Sequence, residues 1–469
     1  MNKKIKVVSI IVLIAVVFAA SNQVGIQRRD AALLATPAAA SGIWVSQSEI
    51  MSRPTTGAAW NSILSDAAGS WGTASVSNQD SDHDQYVLAG ALVCARTGQY
   101  CDKTRQGLLS AIGTESGARW LAIGRNMLGY TIAADVMRNS GNLTGADLTS
   151  VSNWLASFLT RTLASNNSGV QEKLIPFGSG SNASAQEGAV YAAIAAYTGN
   201  SEKLEYVWNR FRLYSCDRVG NPEQIIDVRT GFNSGWSFAA NIGNACPVNP
   251  IGEVKNGVRI DGAIINDMVR GGSFKFPPGH TTYPWVGLEG YVPAALILQR
   301  AGYPSFALKD QAVLRTHEYL CYLKNNTTTD WWEPSRAAEV KHLVKLVYGF
   351  DTCSVAYPVG RGRTVGYTDW THPLASSPVT STSVPPTPIP PSATATRTPV
   401  PSSVTPTRTP TNTPSRTPTV TASATPFTPA TLTASPTITP SRTPTMTPTP
   451  ICFPIWAGET KEFIGNYCQ

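Results

Sequence analysis

Two stretches of this chain are apolar on more than one side at a helical period: ARWLAIGRNMLGYTIAADVM, from Ala118, and YPWVGLEGYVPAALILQRAG, from Tyr283, whose only acidic residue is Glu289. Helices of that kind must be walled in on most faces by other elements. With these two included, helix-like segments recur at roughly 57–68, 84–97, 117–138, 146–164, 184–198, 201–213, 285–301, 308–323 and 336–348, separated by polar, Gly-containing or Pro-containing breaks. Short links between neighbours imply antiparallel helix hairpins. Hairpins with buried inner helices stack side by side into a ring or part-ring, whereas a simple bundle has no use for so many. The expected fold is therefore all-α, an (α/α) toroid, complete or incomplete, spanning residues 43–373.

Composition sets the limits of that body. Hydrophobic residues make up 42% of the chain and charged residues 14%, so a large interior can be buried and charges inside it invite scrutiny. From Leu374 to Pro450 the sequence turns into repeats such as TPTRTPT and SRTPTMTPTP. With almost nothing apolar to bury, this stretch is expected to be a disordered, solvated linker. Residues 451–469 are too short to fold unaided and can form a small loop closed by Cys452 and Cys468, of unreadable role. At the other end, Lys3, Lys4 and Lys6 precede an apolar run from Val7 to Ala20 that ends in small residues. Residues 1–21 thus have the layout of a secretory signal, and an uncleaved anchor is the alternative. No later segment approaches a span, so the mature chain is expected to be secreted or held at the cell surface without a stable membrane span.

Eight cysteines fit export, because they fall into close sequential pairs: Cys94 with Cys101, Cys216 with Cys246, Cys321 with Cys353, and Cys452 with Cys468. Free buried thiols are the alternative. No spacing resembles a zinc ribbon and His is scarce, so neither a metal nor another cofactor is expected. The formal net charge of +7 favours an acidic partner weakly, and without a Lys/Arg-rich block or an aromatic RNA-binding signature nucleic acid is not expected. One region breaks the helical pattern, from Asp217 to Thr282, rich in Gly, Asn, Asp and Pro. Its aromatic residues and cysteine pair argue for an ordered loop, and long ordered loops often carry function.

Four stretches, ARWLAIGRNMLGYTIAADVM, SNASAQEGAVYAAIAAYTGN, RIDGAIINDMVRGGSFKFPPGHTTYPWVGLEGYVPAALILQRAGYP and GRTVGYTDW, together cover much of residues 115–370. Through them the body resembles the helical-toroid polysaccharide lyases, the group that includes alginate and chondroitin AC lyases. The resemblance implies β-elimination on a uronate-containing polysaccharide. In that group an Asn at the start of an inner helix and a nearby basic side chain neutralise the uronate carboxylate, while a Tyr, often with a His, moves the protons. The matching positions are Asn182, Arg270, His280 and Tyr283. The sequence departs from the pattern of the alginate lyases in one place: there a His follows the Asn directly, and here Ala183 does. Gln186, one turn on, points the same way but cannot exchange a proton.

The chemistry explains these residue types. Elimination removes the C5 proton beside the carboxylate and expels the glycosidic oxygen at C4, and donors and cations aimed at the carboxylate stabilise the carbanion-like transition state more than the ground state. A tyrosine ordinarily titrates near ~10 and needs a cation beside it to act as a base. Arg270 and Arg125 are the candidates.

Each residue also has a structural reading. Asn182 fits a helix N-cap equally well, Ser184 and Glu187 have capping-box spacing, and His280 fits a surface loop. Tyr283 fits simple packing, and Asp261, Asp267 and Arg270 fit an ion-pair network pinning the long loop. Arg125 is expected either to line a polar cleft with Arg119, Asn126 and Tyr130 or to pair with Asp135 or Glu289. Trp236, Trp285, Trp331 and Trp332 suit stacking on sugar rings or core packing. His83, between Asp82 and Asp84, reads as capping or solvated. Two other functions remain open: a glycoside hydrolase drawing on Glu115, Asp135, Asp267 and Glu289, and a carbohydrate-binding surface protein without turnover.

Overall fold

The computed structural model describes residues 42–163, 173–223, 226–327, 337–349 and 355–374, and the backbone of 452–457 and 462–468. The signal-like segment, the Thr/Pro stretch, Trp331, Trp332 and Cys353 lie outside the described residues. The chain divides into two units, residues 1–381 and 382–469. In the first the described residues are helix-rich and all-α in class, with a single pair of two-residue strands.

The helices of the first unit are α1 (Gln47–Ser52), α2 (Ala58–Ala68), α3 (His83–Thr97), α4 (Cys101–Ala111), α5 (Trp120–Asn139), α6 (Gly145–Ser157), α7 (Asn182–Tyr197), α8 (Ser201–Tyr214), α9 (Arg229–Asn233), α10 (Ile265–Met268), α11 (Tyr283–Arg300), α12 (Leu308–Asn326), α13 (Ala338–Tyr348) and α14 (Thr368–Thr371). Local chemistry sets several ends. Ser46 and Glu49 form a capping box that starts α1, and α3 stops at Gly98, whose φ of 76° needs no side chain to accommodate.

The most extensive packing runs from α3 to α5, from α5 to α7 and from α7 to α11. These inner helices point the same way, because their last turns gather on one segment at the start of the body. Ile43 N donates to Asp135 Oδ2, Gln47 Nε2 to Ala95 O, Arg300 Nε to Gly42 O, and Arg138 Nη1 to Tyr197 O. Around them α2 and α4 cover α3, α8 covers α7, and α12 and α13 cover α11. The alanine-rich sequence of α7 follows from how close its neighbours come. A Cβ placed on Gly290 of α11 would lie 2.2 Å from Gln186 N, and one on Gly124 of α5 would lie 3.1 Å from Glu187 N. Larger residues at these crossings would hold the helices apart.

Pro293 interrupts α11 without breaking it. Lacking an N–H, it cannot supply the helical donor to the carbonyl of Glu289, and that oxygen accepts from Thr364 Oγ1 at 2.6 Å. The Thr364 carbonyl in turn accepts from Gln85 Nε2 of α3 at 3.1 Å. The segment before α14 thus straps α3 to α11.

The irregular stretch between α8 and α11 is ordered where it is described. The short strands β1 (Val254–Lys255) and β2 (Val258–Arg259) pair antiparallel, with Val254 opposite Arg259. Asn249, fully buried, donates to Trp236 O and Ile260 O and accepts from Phe238 N. Arg315 of α12 clamps this hub, donating to Asn249 O and Asp261 Oδ1. The expected bridges Cys94–Cys101 and Cys216–Cys246 are present, and Cys321 is disulfide-bonded. No described helix is long and apolar enough to cross a membrane. In the second unit β3 (Cys452–Ala457) and β4 (Glu462–Cys468) form an antiparallel hairpin with Cys452 directly opposite Cys468.

Candidate active site

Because the inner helices run in parallel, their first turns meet at one end, and most of the residues singled out from the sequence lie there. Asn182 is the first residue of α7, after Ser181 in the N-cap position. Both its backbone N and its Nδ2 donate to Asp267 Oδ1 at 2.9 Å. The carboxylate caps the helix from outside, where the helix dipole favours negative charge. Asp267 is 1% exposed, and burial pushes its pKa up to about 7 against the two Asn182 hydrogen bonds and the charge of Arg270. The expected capping box is absent: Ser184 lies inside the helix, and its hydroxyl accepts from Ser179 N at 3.0 Å.

Tyr283 is the first residue of α11 and half-buried. The guanidinium of Arg270 stacks over its ring, 4.5 Å from the centroid. The loop carrying Arg270 folds back because Gly271 and Gly279 touch backbone to backbone, where a Cβ on either would lie within 2.1 Å of the other's carbonyl oxygen. This contact brings His280 to the same region, exposed and without a hydrogen bond among the described residues. On α5, Arg125 is within electrostatic reach of both Tyr283 and Glu289. Its expected partner Asp135 is instead at the far end of α5, bonded to Arg138 and Ile43 N. The ion pair of Arg125 is with Asp80 Oδ1, at 3.5 Å.

Sequence reasoning gave no role to the arginines that complete this end. Arg363 Nη2 donates to the same Asp80 Oδ1 at 2.9 Å, beside Arg125. Burial and the charge of Arg363 both push the Arg125 pKa down from its ordinary value. Arg361 stacks on Tyr86 and pairs with Asp66 and Asp82, facing a cavity of about 290 Å³ lined by Ser62, Asp66, Asp82, Arg361 and Gly362. Two arginines in the Gly-rich run GRGRTVG were the available signal.

Several expected contributors are buried or engaged in the frame. Gln186 is fully buried at the crossing of α5, α7 and α11 and reaches no solvent. Trp236 and Trp285, expected to stack on sugars, are core residues at 1% exposure each. Trp236 donates to Gly272 O and packs on Phe274, and Trp285 meets His317 edge-on. His83 is buried rather than solvated, bonded to Tyr130 Oη at 2.7 Å, and burial lowers its pKa to about 4. Asp261 serves the structural network with Arg315 and Arg259. The carboxylates available to a hydrolase, Glu115, Asp135, Asp267 and Glu289, are all buried, with Glu115 bound to Arg161 and Trp154.

Comparison with known proteins returns no match: no protein-family model, no curated protein and no solved structure is recognisably similar to this chain.

Proposed function

We propose that this chain is an exported polysaccharide lyase, an (α/α) toroid that cleaves an acidic, uronate-containing polysaccharide by β-elimination at the end where its inner helices begin. The observation that carries this reading is the stacking of Arg270 on Tyr283, with Arg125 within electrostatic reach of the same tyrosine. Elimination needs a proton carrier beside the sugar carbon and cations beside the carboxylate that takes up the developing charge. A half-buried phenol stacked against one guanidinium, with a second within electrostatic reach, at the end where the parallel helices begin, suits both requirements. Tyr283 is the proton-transfer residue, Arg270 and Arg125 hold the carboxylate, and exposed His280 assists the leaving oxygen. Asn182 acts one step back: its amide fixes Asp267, which pins the Arg270 loop to α7. The disulfides and the absence of a spanning helix among the described residues are compatible with an extracellular location.

The test is the appearance of ultraviolet-absorbing unsaturated ends on alginate, glucuronan, hyaluronan and chondroitin. Tyr283→Phe keeps the ring and the Arg270 stack but removes the proton carrier, so turnover should fall about 1,000-fold with substrate binding retained. Activity that survives this substitution, or saturated products, refutes the mechanism. The engagement of Asn182 by Asp267 favours one second reading, a glycan-binding protein without turnover. It would show binding of the same polymers and no new ends from the wild type.

A further inference from the structure

Arg125 and Arg363 are held side by side with only one carboxylate oxygen between them. Arg125 is nine-tenths buried, its side chain 10% exposed, and its Nε has no hydrogen-bond partner. Arg363 is 22% exposed and its Nε is likewise buried and unpartnered. Both guanidiniums converge on Asp80 Oδ1, whose own side chain is 66% exposed. Guanidiniums are built to bind carboxylates through paired N–H donors, and an unpaired buried donor is costly. Two forks that share one oxygen of a largely solvated aspartate therefore leave donor capacity open to a better-placed anion.

We propose that Arg125 and Arg363 form a carboxylate-exchange site: Asp80 occupies it in the free protein, and the carboxylate of a bound sugar acid displaces Asp80 and is gripped by both arginines. The proposal rests on the reading of the ligand as an acidic polysaccharide, and it adds a specificity-determining residue, Arg363, and a built-in competitor, Asp80. Displacement needs only a turn of the Asp80 side chain, which is 66% exposed, while the loop that carries it stays anchored by Asn126 Nδ2 at Val76 O and Asn78 O. Water re-solvates the released carboxylate. Arg125 is within electrostatic reach of Tyr283, so a sugar carboxylate that enters the site lies toward the end of the body that carries the phenol. A neutral sugar has nothing with which to displace Asp80, so the exchange selects acidic over neutral polymers.

The experiment is calorimetric titration of the full chain carrying Tyr283→Phe, which removes turnover, with an oligoglucuronate hexasaccharide, a neutral glucan hexasaccharide and inorganic phosphate. Asp80→Asn removes the competing charge on an exposed side chain and should tighten oligoglucuronate binding about ten-fold, while Arg363→Gln should weaken it about ten-fold or more. Arg363→Lys keeps the charge without the fork and should fall between, which preserves the test if Arg363→Gln does not fold. Neutral glucan should show no response to either substitution. Unchanged or weaker binding in Asp80→Asn overturns the exchange, since it would make Asp80 a fixed brace for the arginines. Phosphate binding that follows the same substitutions while oligoglucuronate does not bind assigns the pair to a free anion and overturns the sugar-acid site. Exchange without unsaturated products from the wild type would sink the lyase reading alone, and unsaturated products without exchange would sink this one alone.

Discussion

Replacing Asp267 with Asn should erase one component of the protein's pH dependence, so that the variant gains on the wild type as pH rises. Asp267 is fully enclosed, receives two hydrogen bonds on Oδ1 from Asn182, and has no hydrogen bond on Oδ2. Burial raises its pKa from 3.8 to about 7, so the folded protein binds this proton more tightly than the unfolded chain does. A carboxyl group with a raised folded pKa helps the fold most below its unfolded value, and the advantage is lost as pH rises through the folded value. A shift of this size corresponds to roughly 4 kcal/mol between about pH 4 and pH 8. Asparagine keeps an acceptor for both Asn182 donors and is neutral at every pH, while its Nδ2 takes the place of an oxygen without a partner, a cost that does not change with pH. The buried histidines work in the opposite direction: His83, His342 and His372 have lowered pKa values and destabilise the fold as pH falls below their unfolded value. They act equally in both proteins and cancel in the difference. Urea unfolding at intervals from pH 4 to pH 9 should therefore show the variant's advantage over wild type growing by roughly 4 kcal/mol and levelling off near pH 8. A difference that stays constant with pH would show that the folded state does not hold the Asp267 proton more tightly than the unfolded chain and that the desolvation argument is wrong.

Two further predictions concern the frame that holds the site. Thr364→Val leaves the Glu289 carbonyl, which Pro293 cannot serve, without its Thr364 donor and should cost about 1–2 kcal/mol in urea unfolding, and the cost should at least halve in a Pro293→Ala background, where the helix supplies its own N–H. A chain ending at Pro373 should keep a cooperative melt at nearly the same temperature, because the Thr/Pro stretch has almost no apolar surface to bury, and a large loss would show that the terminal hairpin supports the body.

The helical body was legible because its signals are local. Apolar residues on several faces marked α5 and α11, and the periodic segments at 84–97, 184–198 and 308–323 correspond to His83–Thr97, Asn182–Tyr197 and Leu308–Asn326. The helix Cys101–Ala111 escaped, since CDKTRQGLLSA is an outer helix with few apolar positions and a glycine at its centre. That Gly107 is there for packing: a Cβ on it would lie 2.8 Å from Val87 Cγ2 and 2.9 Å from the Trp71 ring.

The site was legible only where its partners are close in sequence or share a recognisable motif. Arg270 and Tyr283 flank one loop, so folding back at Gly271 and Gly279 suffices to join them. Residue type alone could not separate a sugar platform from a core tryptophan, because the same large ring serves both, and Trp236 and Trp285 went to the core. Nor could it show that the amide of Asn182 is already engaged, since Asp267 is 85 residues away in the chain. The arginine pair is the extreme case. Asp80 and Arg363 are separated by 283 residues and meet only because the strap before α14 returns across α3 and α11. A buried charge is tolerated where opposite charge or an incoming ligand compensates it, and only the folded chain shows which. Here the two guanidiniums share one oxygen of an exposed aspartate, with buried Glu289 within electrostatic reach of Arg125, and that arrangement, invisible in any sequence window, is what singles out this end of the body.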